Sequence, residues 1–453
     1  MRDLAFRNLL SEVESLKPLK RLGSIVEVSD GVLHVGRLSD IARMGDRVKL
    51  HRQDGFIFGQ VVRLGESKVQ IMIEGSSDGI LVGDTVELIG PQTISPNTSW
   101  IGRVVDSNGQ PLDGRPILKG HAARSITNGP IASTLRKPMG ARLETGMAIF
   151  NTMLPLVRGQ RIGLFAGSGV GKSTLLASFA RNVEAEIVVI ALVGERGREV
   201  GEFIHSVLGP EGMKRTIVVA ATSDASALER RRCAWAAMAI AEHFKEEGNH
   251  VLLLLDSLTR FAEAHREIAL ASGEVAALRG YPPSTAHLLM SLCERAGPGG
   301  QHEGDITAVF SVLVAGSDMD EPVADMVRGV LDGHVVMDRD IAERGRFPAI
   351  DVLRSVSRSL PVAASSDENE KINQARRLLG SYEQSKLMVQ SGLYVSGSDP
   401  QLDEAIDVWP ALDSFVSNMD DPNVEISFEK LGSALQRTKS RSVVANSVLE
   451  RRK

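Results

Sequence analysis

The chain has 453 residues, of which 43% are hydrophobic and 24% are charged, a composition typical of globular proteins and long enough for about three domains. The 52 Lys and Arg residues and 57 Asp and Glu residues leave a net charge of -5, which argues against a dedicated polyanion binder. Aromatic residues make up only 4% of the chain, too few for the stacked bases on which single-strand binders rely. Composition therefore disfavours disorder and nucleic-acid binding.

Cysteine content and the amino terminus indicate the compartment. Cys233 and Cys293 are not arranged as CxxC and have no histidine at zinc-ligand spacing, so we interpret them as two buried thiols in a reducing compartment. Residues 1–20 lack the long uncharged stretch of a secretory signal, and no later run approaches the roughly 20 apolar residues of a membrane span. The sequence therefore predicts a cytoplasmic protein.

The amino-terminal part of the chain shows two patterns. Apolar residues at helical spacing predict a short amphipathic helix over 1–20. Over 21–93, short alternating runs separated by Asp-Gly and Gly-Asp turns predict a small antiparallel β-barrel. Such a barrel can bind oligonucleotides, but this one is mildly acidic and its aromatic residues are Phe56 and Phe58. A structural, ring-forming role is therefore favoured.

The central segment, 94–364, alternates buried runs with helices after a connection rich in Pro and Gly. Each run is followed by a turn and then by a helical stretch such as 227–245, the pattern of a parallel sheet covered on both faces. The predicted strands are 161–165, 187–193, 216–221, 251–255 and 307–314. This is the pattern of an α/β domain.

Beyond about residue 365 the strand pattern stops. Heptad-like apolar spacing predicts helices over 368–389, 402–416 and 428–449. The sequence therefore predicts a helical domain over 365–453.

The first predicted central strand is followed by Ala-Gly-Ser-Gly-Val-Gly-Lys-Ser-Thr at 166–174 and then by an apolar helix. This is a Walker A motif, except that Ala166 stands where the pattern has its first glycine. Glycines let backbone N–H groups turn onto phosphate oxygens, and the helix adds its positive end. Lys172 is expected to reach the β- and γ-phosphates, and Ser173 to ligate magnesium. The predicted loop residues are Gly167, Ser168, Gly169, Val170 and Gly171.

Two acidic residues follow other predicted strands. Asp256 comes directly after the strand 251–255, and Glu195 follows the strand 187–193. Ligands of open parallel sheets lie beyond the carboxyl ends of the strands, so both carboxylates are expected on the face that carries the Walker loop. There an aspartate can hold a magnesium shell, and a glutamate can polarise the water that attacks the γ-phosphate.

Several separated motifs resemble the catalytic subunits of rotary ATP synthases and their relatives. They are Gly-Glu-Arg-Gly-Arg-Glu at 194–199, Asp-Ser-Leu-Thr-Arg-Phe-Ala at 256–262, Gly-Tyr-Pro-Pro-Ser at 280–284, and Pro-Ala-Ile-Asp at 348–351 followed by Ser-Val-Ser-Arg at 355–358. Three further motifs resemble the ATPases of flagellar and type III protein export: Asp-Glu-Pro-Val-Ala-Asp at 320–325, Leu-Asp-Gly-His at 331–334 and Gly-Ser-Asp-Pro-Gln-Leu-Asp at 397–403. The resemblance covers about 21–406.

The resemblance implies a RecA-like P-loop ATPase core with a parallel sheet, preceded by a small β-barrel and followed by a helical domain. It implies that Lys172 is the phosphate lysine, that Ser173 is the magnesium hydroxyl and that Thr174 lies beside the α-phosphate. It also implies that Phe347 covers the adenine, with Tyr382 nearby.

For catalysis, the resemblance implies that Glu195 activates the water, with Arg196 beside it, and that Asp256 is the Walker B carboxylate. It makes Arg260 a γ-phosphate contact within the subunit. Arg358 corresponds to the arginine finger that reaches the neighbouring subunit's site.

At the level of function, the resemblance implies a homohexameric ATPase that uses ATP and Mg²⁺ at the cytoplasmic base of a flagellar export apparatus. Its implied partners are a regulator at the amino-terminal helix, a stalk protein, the export gate and chaperone–substrate complexes, with no nucleic acid. The loop 280–283 is a candidate pore element, with an ordinary turn as the alternative.

Other functions stay open at this point. A catalytic subunit of a rotary proton-translocating ATP synthase and an RNA-translocating hexameric ATPase use the same type of core. Injection-type secretion also shares this chemistry with flagellar export.

Overall fold

The computed structural model describes residues 19–29, 31–52, 55–315 and 319–436. By compactness the chain divides into two units: unit 1 comprises Met1–Pro138, Ala185–Leu313 and Met319–Val330, and unit 2 comprises Met139–Glu184, Val314–Asp318 and Leu331–Lys453. The strand before the Walker loop thus belongs to the same unit as the carboxyl-terminal helices. Most of the predicted helix 1–20, and residues 437–449 of the last predicted helix, lie outside the described residues.

The predicted barrel is confirmed as a closed, antiparallel, six-stranded barrel in unit 1, with strand order β1-β2-β5-β4-β3-β6. Side chains alternate between the interior and the outside, as in β5, where Val69, Ile71 and Ile73 are buried, because successive residues of a strand point to opposite faces. Closure leaves the barrel without an unpaired edge. The strands are β1, Arg21–Ser29; β2, Val32–Gly36; β3, Arg47–Arg52; β4, Gly55–Leu64; β5, Lys68–Ile73; and β6, Thr85–Gly90.

The remaining strands and the helices are numbered along the chain. The strands are β7, Thr93–Ile94; β8, Val104–Val105; β9, Arg124–Ser125; β10, Arg161–Ala166; β11, Ile187–Glu195; β12, Thr216–Thr222; β13, His250–Asp256; β14, Gly297–Pro298; β15, Asp305–Leu313; β16, Gly333–Met337; and β17, Ile350–Ser357. The helices are α1, Ala148–Asn151; α2, Lys172–Asn182; α3, Gly197–Glu202; α4, Gly209–Met213; α5, Ala227–Glu246; α6, Leu258–Ala271; α7, Ser284–Arg295; α8, Pro322–Arg328; α9, Arg339–Glu343; α10, Ser366–Gln390; α11, Pro400–Val416; and α12, Val424–Gln436.

The sheet of unit 1 is parallel, with order β15-β13-β11-β12-β8, and β14 runs antiparallel beside β15. β11 and β13 are buried over nearly their whole length, as expected for strands with helices on both faces. The helix predicted over 227–245 is α5, which begins with a capping box: Ser226 Oγ accepts from the Glu229 N–H, and the Glu229 carboxylate accepts from the Ser226 N–H. The predicted strands of this unit are confirmed near their predicted bounds.

In unit 2, β16 is parallel to β10 and antiparallel to β17. The strands β16 and β17 were not predicted, although their segments contain family motifs. The helices α10 and α11 confirm two predicted carboxyl-terminal helices, and α12 the described part of the third. The loop between α11 and α12 is joined to the segment before the Walker loop by two backbone hydrogen bonds. The N–H of Ala148 donates to the carbonyl of Asn418, and the N–H of Asp421 donates to the carbonyl of Gly146.

Together these elements confirm the predicted fold class of barrel, α/β core and carboxyl-terminal helices. No helix in the described part of the chain is long and apolar enough to cross a membrane. Both cysteines are buried and free of disulfides, as predicted.

Candidate active site

The Walker loop occupies the turn between β10 and α2 in unit 2. Gly169 and Gly171 have φ angles of 78° and 87°, the left-handed backbone that glycine adopts without steric cost. Ala166 does not need such a backbone, because it is the buried last residue of β10. Its carbonyl accepts a hydrogen bond of 3.1 Å from the N–H of Val314. This strand position explains why alanine is tolerated in place of the first glycine.

The first residues of α2 carry the predicted phosphate and metal contacts. The helix begins at Lys172, and Ser173 and Thr174 are exposed in its first turn. The N–H groups of a first turn have no partner within the helix and lie at its positive end. The loop and helix start therefore form a surface suited to phosphate oxygens.

An aromatic ring lies directly against this loop. A Cβ atom added to Gly171 would be 3.2 Å from Cδ1 of Phe347, and Phe347 is 48% exposed. An exposed flat apolar ring beside a phosphate-binding loop offers a stacking surface for a nucleotide base. The structure thus brings the predicted adenine contact and the predicted phosphate loop together in unit 2.

Tyr382 packs against another aromatic residue of unit 2. Its ring on α10 stacks on Trp409 of α11, with ring centroids 4.7 Å apart and an interplanar angle of 23°. Trp409 was not identified from the sequence. The adenine role of Tyr382 stays a prediction.

Arg358 follows β17 at the surface of unit 2. Its backbone N–H donates to the carbonyl of Asp332 at 3.0 Å, which anchors the main chain, while the residue itself is exposed. It lines a groove of about 570 Å³ formed by residues of the 139–142 and 358–365 segments together with Val157. An exposed arginine on an anchored backbone is compatible with a contact to another subunit, and that role stays a prediction.

Asp256 lies at the carboxyl edge of the unit 1 sheet. It is the last residue of β13 and is 3% exposed, and its Oδ1 accepts a hydrogen bond of 2.6 Å from Ser311 Oγ. Ser311 is buried on the neighbouring strand β15 and was not among the predicted site residues. In the sequence, a hydroxyl residue between Phe310 and Val312 in a mostly apolar run could have indicated this polar contact.

Glu195 and Arg260 lie close together at the same edge. Gly194 has a φ of 71°, and a Cβ atom added to it would be 3.3 Å from Cβ of Arg260. The arginine stem therefore packs against the end of β11, where Glu195 is the last residue. Arg260 donates to Glu263 at 2.8 Å; this hydrogen bond raises the pKa of Arg260, and the charge of Glu195 acts in the same direction.

Arg196 occupies an exposed position just before α3. Its guanidinium forms an ion pair of 3.2 Å with Glu199, one turn further along the chain. Exposed pairs of this kind contribute little to stability, and the catalytic role of Arg196 stays a prediction.

The candidate magnesium ligands are oxygen donors, the type that this ion prefers. They are the hydroxyl of Ser173 and the carboxylate of Asp256. Within the described ranges there is no group of three or more His, Cys, Asp or Glu residues that could hold a metal by itself. Each of these oxygen donors, considered by itself, suits an ion that takes further oxygen ligands from nucleotide phosphates.

Two family models match the chain. Residues 146–357 match the nucleotide-binding domain of the ATP synthase alpha/beta family. Residues 364–437 match the T3SS EscN ATPase C-terminal domain. The first match contains the Walker loop and the residues of the sheet edges, and the second contains α10, α11 and α12.

Curated relatives are similar over nearly the whole chain. The Flagellum-specific ATP synthase of Caulobacter vibrioides is 40% identical over 447 residues, which covers 95% of this chain and 99% of the relative. The protein of the same name from Salmonella typhimurium is 40% identical, covering 91% of this chain and 92% of the relative. The Type 3 secretion system ATPase of Xanthomonas euvesicatoria is also 40% identical, covering 90% and 92%.

Solved structures also match nearly the whole chain. The assembled ATPase EscN of the enteropathogenic E. coli type III secretion system superimposes with a TM-score of 0.84 at 34% identity, covering 91% of this chain and 100% of EscN. EscN in complex with its central stalk EscO gives a TM-score of 0.82 at the same identity and coverage. The chain belongs to the family of flagellar and type III secretion ATPases, and it is an ATPase.

Proposed function

We propose that this ATPase is the motor of a flagellar type III protein export apparatus, coupling Mg-ATP hydrolysis to the release and unfolding of export substrates bound to chaperones. The observation that carries the proposal is similarity over almost the full length to flagellum-specific ATP synthases. Flagellar export is chosen over injection because a flagellum-specific relative matches 95% of this chain and 99% of its own length.

The residues of unit 2 bind the nucleotide in this proposal. The backbone N–H groups of 167–171 and the side chain of Lys172 bind the phosphates, and Thr174 lies beside the α-phosphate. Phe347 stacks on the adenine, and Tyr382 contributes nearby. The support is the left-handed Gly171, against which the ring of Phe347 packs.

The residues of unit 1 carry the chemistry. Glu195 orients and polarises the attacking water, Arg260 binds the γ-phosphate, and Arg196 assists beside Glu195. Ser173 and Asp256 would hold the magnesium ion, which neutralises charge on the β- and γ-phosphates when bound. The hydrogen bond from Ser311 keeps the Asp256 carboxylate oriented.

The active form is a homo-oligomer, which we propose to be a hexamer. EscN has been solved as an assembled ATPase and with a central stalk, and we propose a stalk protein for this chain as well. Further proposed partners are a regulator at residues 1–20, the export gate and chaperone–substrate complexes. The location would be cytoplasmic and peripheral to the membrane apparatus.

Assembly is tested by the rate of ATP hydrolysis across a dilution series. A finger supplied by the next subunit contributes about 10³- to 10⁵-fold in rate, so the activity per subunit should rise with protein concentration. Arg358→Ala should abolish the rise while ATP still binds. Electron microscopy of the same samples would report ring formation.

The matched control is Arg354→Ala on β17, the strand that Arg358 follows. Arg354 is exposed and pairs with Asp338 at 3.7 Å, so its loss should keep the concentration dependence. Turnover independent of concentration in the wild type, or an unchanged rise in Arg358→Ala, would contradict the proposed role.

A further inference from the structure

The loop between α6 and α7, residues 272–283, connects two helices of unit 1 and contains the Tyr-Pro-Pro segment. Arg279 in this loop has φ 47° and ψ 35°, a left-handed backbone that is unfavourable for a residue other than glycine. Val275 is 80% exposed, so part of the loop faces solvent. A loop with such a backbone keeps one conformation only where its surroundings hold it.

A chain of polar contacts begins at this loop and ends in the barrel. The Glu274 carboxylate accepts from the N–H of Ser284 at 2.9 Å and from its hydroxyl at 2.6 Å. The same hydroxyl lies 2.8 Å from Nε2 of His265. The other ring nitrogen, Nδ1, lies 3.2 Å from the guanidinium of Arg231, which donates to Gln60 of β4 at 3.0 Å.

The donor and acceptor capacities of these groups determine the direction of each hydrogen bond in this series of contacts. A guanidinium can only donate hydrogen bonds, so Nδ1 of His265 must accept from Arg231. The imidazole is therefore neutral, and its proton lies on Nε2, which donates to Ser284 Oγ. The hydroxyl proton of Ser284 is then directed to Glu274. Every hydrogen bond has one donor and one acceptor, and none competes with another.

The surroundings favour the same protonation state. His265 is buried on α6, and burial together with the charge of Arg231 lowers the pKa of His265 to about 4. Arg231 is itself buried and lies 4.9 Å over the ring of Trp235. The ring of His265 thus stays neutral at physiological pH.

We propose that His265 and Ser284 are positioning residues, which hold the 272–283 loop in one conformation through the relay Gln60–Arg231–His265–Ser284–Glu274. The relay fastens the loop to the middle of α6. The first turn of that helix carries Arg260, and only Ser257 separates the helix from Asp256. A displacement of the loop therefore acts on the helix that begins at the catalytic candidates.

Hydrogen exchange of the full-length protein, without nucleotide, tests the relay. Ser284→Ala removes both the acceptor for His265 and the hydroxyl donor to Glu274, so exchange of the amides of 272–281 should accelerate about tenfold. Ser284→Thr keeps the hydroxyl and should restore slow exchange. Glu274→Gln keeps the size of the side chain but weakens the acceptor, and should give an intermediate rate.

Thr285→Val is the matched control. Among the residues that the structure describes, the buried hydroxyl of Thr285 has no hydrogen-bond partner. It lies one residue from Ser284, so its removal should leave exchange of the loop unchanged. Unchanged exchange in Ser284→Ala, or equal acceleration in Thr285→Val, would overturn the relay.

A kinetic experiment tests the link to α6 and rests on the proposed function. Ser284→Ala should lower kcat several-fold with little change in nucleotide affinity, and Ser284→Thr should restore it. Faster loop exchange with unchanged kcat would overturn the link while leaving the loop relay intact. Because the exchange measurement needs no turnover, failure of the relay and failure of the ATPase roles are distinguishable.

Discussion

At the scale of single residues, the surroundings of a carboxylate at the end of a strand determine what it can do. Asp256 ends β13 and Glu195 ends β11, yet their surroundings differ. Asp256 is buried and held by Ser311, which suits a fixed ligand. Glu195 is partly exposed beside Arg260, which suits a group that must reach a water molecule.

This difference leads to a prediction for Glu195→Gln. The amide keeps the shape but cannot act as a base, so single-turnover hydrolysis should slow by about 10² to 10⁴, while ATP binding measured by fluorescence or calorimetry should remain. Glu202→Gln is the control, because Glu202 is exposed at the end of the following helix, so this variant should keep the wild-type rate. A near-normal single-turnover rate in Glu195→Gln would disprove the assignment.

At the scale of elements, the Walker loop combines a special backbone with a close neighbour. Gly171 is left-handed and precedes α2 directly, and Phe347 leaves no room for a methyl group at ordinary contact distance. The loop therefore depends on glycine at this position for two independent reasons. Gly167, by contrast, has no left-handed φ, and a Cβ atom added to it would lie 3.5 Å from the carbonyl oxygen of Val314, an ordinary contact distance.

We expect Gly171→Ala to weaken ATP binding by about tenfold or more, because a left-handed alanine costs about 1–2 kcal/mol and its methyl group would displace Phe347. The dissociation constant of ATP, measured by calorimetry, checks this. Gly201→Ala is the control: Gly201 lies in α3 without a left-handed φ, and a Cβ atom added to it would meet no neighbouring atom within 4 Å among the described residues. A Gly171→Ala variant that binds ATP like the wild type would contradict the described loop.

At the scale of the molecule, the barrel and the parallel sheet belong to one compact unit. Arg232 of α5 joins them: it is nearly inaccessible and forms an ion pair of 2.5 Å with Glu74 near the end of β5. The same guanidinium donates to Gln92 and Asn108. Removing a buried charge with this many partners is strongly destabilising, because the buried charge of Glu74 is left without its ion-pair partner.

Arg232→Ala should therefore destabilise unit 1 by about 3–5 kcal/mol, visible as a lower urea midpoint. The control is Lys214→Ala, which removes an exposed pair with Glu211 and should leave the midpoint nearly unchanged because exposed pairs contribute little. Equal midpoints for Arg232→Ala and the wild type would show that this pair does not hold the barrel on α5.

Much of this protein was predictable from local sequence patterns. Local patterns, formed by residues close together along the chain, predict the fold class and most element bounds. These patterns are the period-2 runs of the barrel, the buried runs of the sheet, the capped helices and the Walker loop. The candidate residues were found because motifs keep their spacing. The strands β16 and β17 were not predicted, because β16 has only five residues and β17, with eight, mixes apolar residues with Asp351 and Arg354 without a clear period.

Tertiary structure decided the rest. Ser311 on Asp256, Phe347 on Gly171, Trp409 on Tyr382 and the relay through His265 all join residues from different elements. Such contacts depend on how strands are ordered and how helices pack, and no local pattern encodes that order. The sequence by itself determined which residues have the chemistry, and packing across the chain decided which of them meet.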